Sequence, residues 1–144
     1  MIAIGCDHGG FALKQDIIKF LKELQYDFND MGTYDETSVD YPEIAKKVCK
    51  EITDGNASCG ILVCGTGIGM NICANKIKGI RAAQCSDTYS AKMTRRHNNS
   101  NVLTLGGRII GPELAKEIVE AFLTSEFEGG RHQRRVDMIC ELDK

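Results

Sequence analysis

A chain of 144 residues, 42% hydrophobic and 26% charged, has the size of one domain and enough apolar content for one core, which excludes a two-lobed enzyme and a disordered chain. With Lys+Arg 18 against Asp+Glu 20 the net charge is -2, so no global basic field draws the chain to nucleic acid. Its longest apolar run is far too short to span a bilayer, so no membrane partner is expected and the chain should be soluble.

Met1 to Cys6 is an apolar run too brief for a helix, and it ends at Asp7-His8-Gly9-Gly10, which predicts a buried strand followed by a tight loop. From Phe11 to Leu24, apolar residues at Leu13, Ile17, Phe20, Leu21 and Leu24 recur with helical spacing, while Lys14, Asp16, Lys19, Lys22 and Glu23 take the remaining faces. A weaker strand is expected near Tyr26 to Asn29. Asp40-Tyr41-Pro42-Glu43 predicts a helix start, with Asp40 as cap, Pro42 in the first turn and Glu43 reaching back. Ile44, Ala45, Val48 and Ile52 carry that helix's stripe.

Cys59 to Cys64 is almost continuously apolar, as a strand covered on both faces would be, and it runs into Gly65-Thr66-Gly67-Ile68-Gly69 with a helix starting near Met70. Arg81 to Cys85 predicts a fourth strand, Ser86-Asp87 a cap, Thr88 to about His97 a helix and Asn101 to Leu105 a fifth strand. Gly111-Pro112-Glu113 opens the last long helix, to about Leu123. Glu128-Gly129-Gly130 then breaks the pattern before Arg131-His132-Gln133-Arg134-Arg135, after which Val136, Ile139 and Cys140 stripe a short terminal helix.

Strands alternating with helices predict an α/β fold: a three-layer α/β/α sandwich with a parallel sheet of about five strands, Rossmann-like or flavodoxin-like, in a single domain over residues 1–144. Ligands of such sheets bind beyond the carboxyl ends of the strands, where Asp7-His8, Cys64 with its glycine loop and Ser86-Asp87 would meet. Seven cysteines, an odd number without a C-x-x-C pair and without a signal peptide ahead of them, fit reduced thiols in a cytoplasm.

Cys64 stands before a glycine loop and a helix start, a setting that favours thiolate and suits a base or nucleophile; the alternative is a small hydrophobe closing a core strand. The loop lets backbone N–H groups approach developing negative charge, or is simply a tight turn. It has neither the Lys-Ser/Thr ending of a nucleoside triphosphate loop nor the dinucleotide G-x-G-x-x-G. His8 and His97 are proton carriers or surface histidines, and the absence of ligand spacing or a cysteine cluster predicts no metal and no cofactor. Arg131, Arg134 and Arg135, with Arg108 after Gly106-Gly107, form either a phosphate grip or a solvated basic face.

Together these stretches resemble the ribose-5-phosphate isomerase type B family, which also contains the galactose-6-phosphate isomerase subunits. The likeness runs through GCDHGGF from Gly5, DYP from Asp40, ILVCGTGIGMNICANK from Ile61, GIRAA from Gly79, RRHNNSNVL from Arg95, GGR from Gly106 and EGGRHQRRV from Glu128. The resemblance implies that Cys64 accepts the proton at the sugar carbon, that His97 assists ring opening, and that Thr66 shares the catalytic loop. It further implies substrate contacts from Asp7, His8, the loop Gly65, Thr66, Gly67, Ile68 and Gly69, from Asn98 and Arg108, and phosphate contacts from Arg131 and Arg135. Arg134 matches no motif position, and Met70 and Asn71 stand where some relatives carry a glutamate base, which implies the thiol version.

The resemblance also implies a phosphorylated sugar as substrate and a homodimer whose active sites take groups from both subunits, with residues 131–144 as a tail on the partner. The expected reaction interconverts ribose 5-phosphate and ribulose 5-phosphate. The alternatives are isomerisation of hexose 6-phosphates or free sugars, and a non-catalytic module that binds phosphosugars.

Overall fold

The computed structural model describes residues 1–143. Strands β1 (Ile2–Cys6), β2 (Phe28–Asp30), β3 (Cys59–Cys64), β4 (Ala82–Gln84) and β5 (Val102–Gly106) alternate with helices α1 (Phe11–Glu23), α2 (Tyr41–Thr53), α3 (Ile68–Asn75), α4 (Thr88–Asn98) and α5 (Pro112–Thr124), and α6 (Arg131–Cys140) closes the chain. All strand pairings are parallel, in the order β2-β1-β3-β5-β4. The chain winds outward from β1 to β2 and then returns past β1 to β3, so the carboxyl ends of β1 and β3 flank the point where winding reverses.

Strand periodicity sorts the core into two layers. Ile2, Ile4 and Cys6 of β1, Ile61 and Val63 of β3, and Leu103 and Leu105 of β5 face α1 and α5, whose Leu13, Ile17, Leu21, Ile118 and Phe122 cover them. Ala3, Leu62, Cys64 and Val102 face α2 and α3, through Ile44, Val48, Met70 and Ala74. Each Val, Leu, Ile, Phe or Met among them contributes roughly 1.5–3 kcal/mol of transfer free energy on burial. Helix α2 approaches closely because the sheet presents glycines to it: an ideal β-carbon on Gly5 would lie 2.7 Å from Ile44 Cγ2, and one on Gly60 2.8 Å from Val48 Cγ1.

Several local details differ from the sequence reading. The second strand is Phe28–Asp30 rather than Tyr26 to Asn29, because Tyr26 and Gln25 are spent closing α1: the Tyr26 N–H donates to Leu21 O and Gln25 adopts a positive φ of 62°. Asp40 does precede α2, but its side chain makes no capping bond, and Glu43 donates its N–H to Asp40 O instead of reaching back with its carboxylate. Helix α3 starts at Ile68, two residues before Met70, because Gly67 with φ 83° turns the chain there. Helix α6 begins at Arg131, so the arginines lie inside its first turns rather than before it.

Lys14 also departs from expectation. It is fully buried rather than on the polar face of α1, with its ammonium 2.6 Å from Asp30 Oδ1 and bonded to Thr33 O, and with the Tyr34 ring 5.4 Å away. It ties α1 to the segment after β2, which a helical wheel cannot show. Lys14→Met is expected to cost about 3 kcal/mol by leaving Asp30 without its cation. A thermal midpoint unchanged in calorimetry would contradict this role.

Burial raises the pKa of four thiols, to about 11 for Cys6 and Cys85, to about 12 for Cys49, and upward for Cys59. A group bound more tightly to its proton in the folded state loses stability as pH rises, so the loss begins near the unfolded thiol value of 9.0 and grows towards 11–12. Each thiol contributes up to about 1.4 kcal/mol per pH unit across that window. Chemical denaturation at pH 8, 9 and 10 should therefore show little change over the first step and a steep fall over the second.

Candidate active site

The loops after β1, β3 and β5 interlock at one end of the sheet. Asp7 donates its N–H to Val63 O and accepts from Gly10 N (3.1 Å) through Oδ1, capping a single 3-10 turn at His8–Gly10. A β-carbon on Gly10 would sit 2.3 Å from Val63 O, and one on Gly107 2.8 Å from Gly9 O. Gly107 N–H donates to Cys64 O at 2.7 Å, and Arg108 N–H to Gly65 O at 3.0 Å. The Arg108 side chain lies across the same loop, with Nη1 3.1 Å from the position of a β-carbon on Gly65.

Cys64 ends β3 on the α2/α3 face and is buried. The glycine loop folds back over it so that the Gly67 N–H donates to Sγ at 3.1 Å, a donor that stabilises negative charge on sulfur. Gly67 can turn this way because it occupies the left-handed region. Thr66 Oγ1 accepts from Ile68 N at 3.2 Å, and Thr66 O accepts from Gln84 Nε2 at 2.9 Å, which fixes the loop from both sides. The N–H groups of Gly65 and Thr66 have no intramolecular acceptor among the described residues. Gly69 opens α3 against the Tyr41 ring, whose Cε1 would be 2.5 Å from a β-carbon there.

His8, half-buried on the 3-10 turn, accepts the Val39 N–H at Nδ1 (3.4 Å), which puts the ring proton on Nε2. Asp7, His8, Cys64 and the loop from Gly65 to Gly69 are thus gathered at the strand ends, and Arg108, which the sequence reading grouped with Arg131, Arg134 and Arg135, lies here instead. Ser86-Asp87 ends β4 nearby, but the Asp87 carboxylate is used on Ser90 N and Oγ as the α4 cap, which holds it below the usual carboxylate range.

The remaining expected residues lie elsewhere. Helix α4 runs back along the sheet, so His97 and Asn98 reach the opposite end, where Arg81 Nε donates to Asn98 O at 3.2 Å just before β4. That end is one strand length from Cys64, roughly 15 Å. Helix α6 rests on α4 there through His132 and Val136, with the His132 ring stacked on His97 at 4.3 Å between centroids and 11° between planes. Burial, then the neighbouring His97 and Arg131, lower the His132 pKa below the ordinary imidazole value. Arg131 and Arg135 are exposed on the same helix. The expected residues therefore fall into two groups, one at each end of the sheet.

The model of the family described as "Ribose/Galactose Isomerase" matches residues 2–139. The chain belongs to this family. Ribose-5-phosphate isomerase B of Escherichia coli K12 is 48% identical over 143 residues, covering 99% of this chain and 96% of the relative. D-erythrulose-4-phosphate isomerase of Pectobacterium atrosepticum is 50% identical over 140 residues, with 96% and 91% covered. The solved ribose-5-phosphate isomerase B of Clostridium thermocellum superposes with a TM-score of 0.96 at 49% identity, covering 98% of this chain and 95% of that one. As a ribose/galactose isomerase the chain is an enzyme acting on sugar phosphates, and the α/β sandwich read from its sequence is confirmed.

Three features of this isomerase were not read as functional from its sequence. Tyr41 belongs to a motif that was noticed, yet only the fold brings its ring over Gly69. Gln84 appeared as one residue of a strand, and its bond to Thr66 O makes it a brace of the glycine loop. Glu128 was read as part of a break, while in the fold its carboxylate stands beside both stacked histidines, 3.9 Å from His97 and 3.6 Å from His132. No spacing rule relates these three to their partners.

Proposed function

We propose that this sugar-phosphate isomerase interconverts D-ribose 5-phosphate and D-ribulose 5-phosphate by proton transfer through an enediolate, with Cys64 as the base. The observation that carries the reading is the Cys64 sulfur under the Gly67 N–H at 3.1 Å, beside the unpartnered N–H groups of Gly65 and Thr66. The thiolate removes the proton from C2 of the open-chain aldose. The C–H electron pair forms the C1–C2 double bond, and the former carbonyl oxygen takes the negative charge. Gly65 and Thr66 can donate to that oxyanion, and removing such a donor costs about 3–4 kcal/mol in comparable sites. Transfer of the C2 hydroxyl proton to the C1 oxyanion and return of the proton from Cys64 to C1 together give the ketose.

His97 opens the sugar ring by moving the proton between the anomeric hydroxyl and the ring oxygen, and Asn98 holds the same hydroxyls. Arg131 and Arg135 grip the phosphate, so binding energy far from C2 orients the reacting carbons. Because those four residues are a strand length from Cys64 in one chain, the reading requires a homodimer in which each α4–α6 pair serves the partner's strand ends. His8 Nε2–H, Asp7 and Arg108 complete the substrate contacts on the Cys64 side.

The test is turnover of D-ribose 5-phosphate compared with tetrose 4-phosphates and hexose 6-phosphates, with deuterium uptake from solvent followed at the reacting carbon. Preference for the pentose with exchange supports the reading. Preference for another sugar phosphate would move the substrate and keep the chemistry, while binding without turnover would leave a phosphosugar-binding module.

A further inference from the structure

The stacked imidazoles have a third neighbour that the isomerase reading does not use. Glu128 Oε1 lies 3.6 Å from His132 Nε2 and 3.9 Å from His97 Nε2, and one ligand atom from each of the three residues falls within 4.8 Å of the other two. Both separations exceed a hydrogen bond, so the carboxylate is drawn to the rings without bonding either directly. A tetrahedral ion with bonds of 2.0–2.1 Å holds its ligand atoms about 3.3–3.4 Å apart. The carboxylate therefore needs to move only a few tenths of an ångström on each side.

The backbone already brings the three together. Glu128 N–H donates to Arg96 O, and His132 N–H donates to Gly129 O in the first turn of α6. The His132 side chain, 11% exposed, is the fixed member, while His97 and Glu128, at 39% and 48%, have room to converge by tipping the stack open. We propose that His97, Glu128 and His132 form a reversible binding site for one cation of the zinc class, and that the bound ion withdraws His97 from ring opening. Two imidazoles with one carboxylate suit zinc, cobalt or nickel rather than magnesium or calcium. Exposed Arg131 and Arg135 on the same helix oppose a cation, which makes the site a weak, reversible one. The ion is an inhibitor here, and the proton transfer at Cys64 does not pass through it.

Metal binding is independent of the substrate assignment, whereas the loss of ring opening rests on it, so the two are measured separately. Calorimetric titration of the intact protein with zinc chloride should give one equivalent per chain. Glu128→Gln and His132→Asn should each weaken it at least tenfold, about the least that loss of even an outer partner costs at metal sites. Two variants are used so that one that fails to fold leaves the other. Cobalt(II) should give ligand-field bands without a thiolate-to-metal charge-transfer band. Equal zinc affinity in wild type and folded variants, or a thiolate spectrum from one of the cysteines, would overturn the site. Zinc should also inhibit the wild type reversibly and leave Glu128→Gln insensitive; binding at this cluster without inhibition would overturn the withdrawal of His97.

Discussion

Replacing Cys64 by serine is expected to lower kcat/KM for the sugar phosphate by about a thousandfold, within the range that a positioned base contributes. The hydroxyl keeps the place of the sulfur and can accept the Gly67 N–H, so the fold should persist and the thermal midpoint should change little. Its far weaker acidity removes the charged form that takes a proton from carbon. Deuterium uptake at that carbon should vanish together with turnover, because both begin with the same abstraction. Exchange that survives in Cys64→Ser would assign the proton to another base and leave the oxyanion donors as the site's main contribution.

The second large effect comes from mixing two inactive proteins. In a homodimer with shared sites, Cys64→Ala removes the base from a chain's own strand ends and His97→Asn removes the imidazole it lends to its partner. A mixed dimer then holds one site with both defects and one with neither. Random reassociation makes half the dimers mixed with half their sites intact, so about a quarter of wild-type activity should return. Co-expression with separate affinity tags checks this directly. No recovery from mixed dimers isolated by both tags would require His97 and Cys64 to act within one chain, which the course of α4 along the sheet opposes.

The order of strands and helices was legible because the apolar runs Ile2–Cys6 and Cys59–Cys64 are bounded by glycine loops, and because Leu13, Ile17 and Leu21 keep helical spacing between them. What period alone could not supply was any fact settled by a distant partner. Lys14 has the sequence context of a surface lysine, and only Asp30 and Thr33 arriving from the next unit make its burial tolerable. The same holds for the site. Asp7, His8, Cys64 and the glycine loop sit at strand ends, where topology alone gathers them, whereas the motif holding His97 does not show which end of the sheet α4 carries it to. The His132 stack and the Glu128 approach depend on how α6 lies on α4, and no local rule sets that angle.

The glycine contacts at the strand ends have a consequence for how such enzymes diversify. Gly10, Gly107 and Gly67 stand where a β-carbon would strike backbone atoms of β3, the 3-10 turn and β5, at 2.3, 2.8 and 2.9 Å. A side chain at any of these three positions would push apart the strand ends that hold Cys64 and its loop. The histidines and arginines ride on a separate helix pair, with exposed positions around them that tolerate change. If α6 grips the phosphate as proposed, a change in its reach would alter the length of sugar accepted without touching the strand ends.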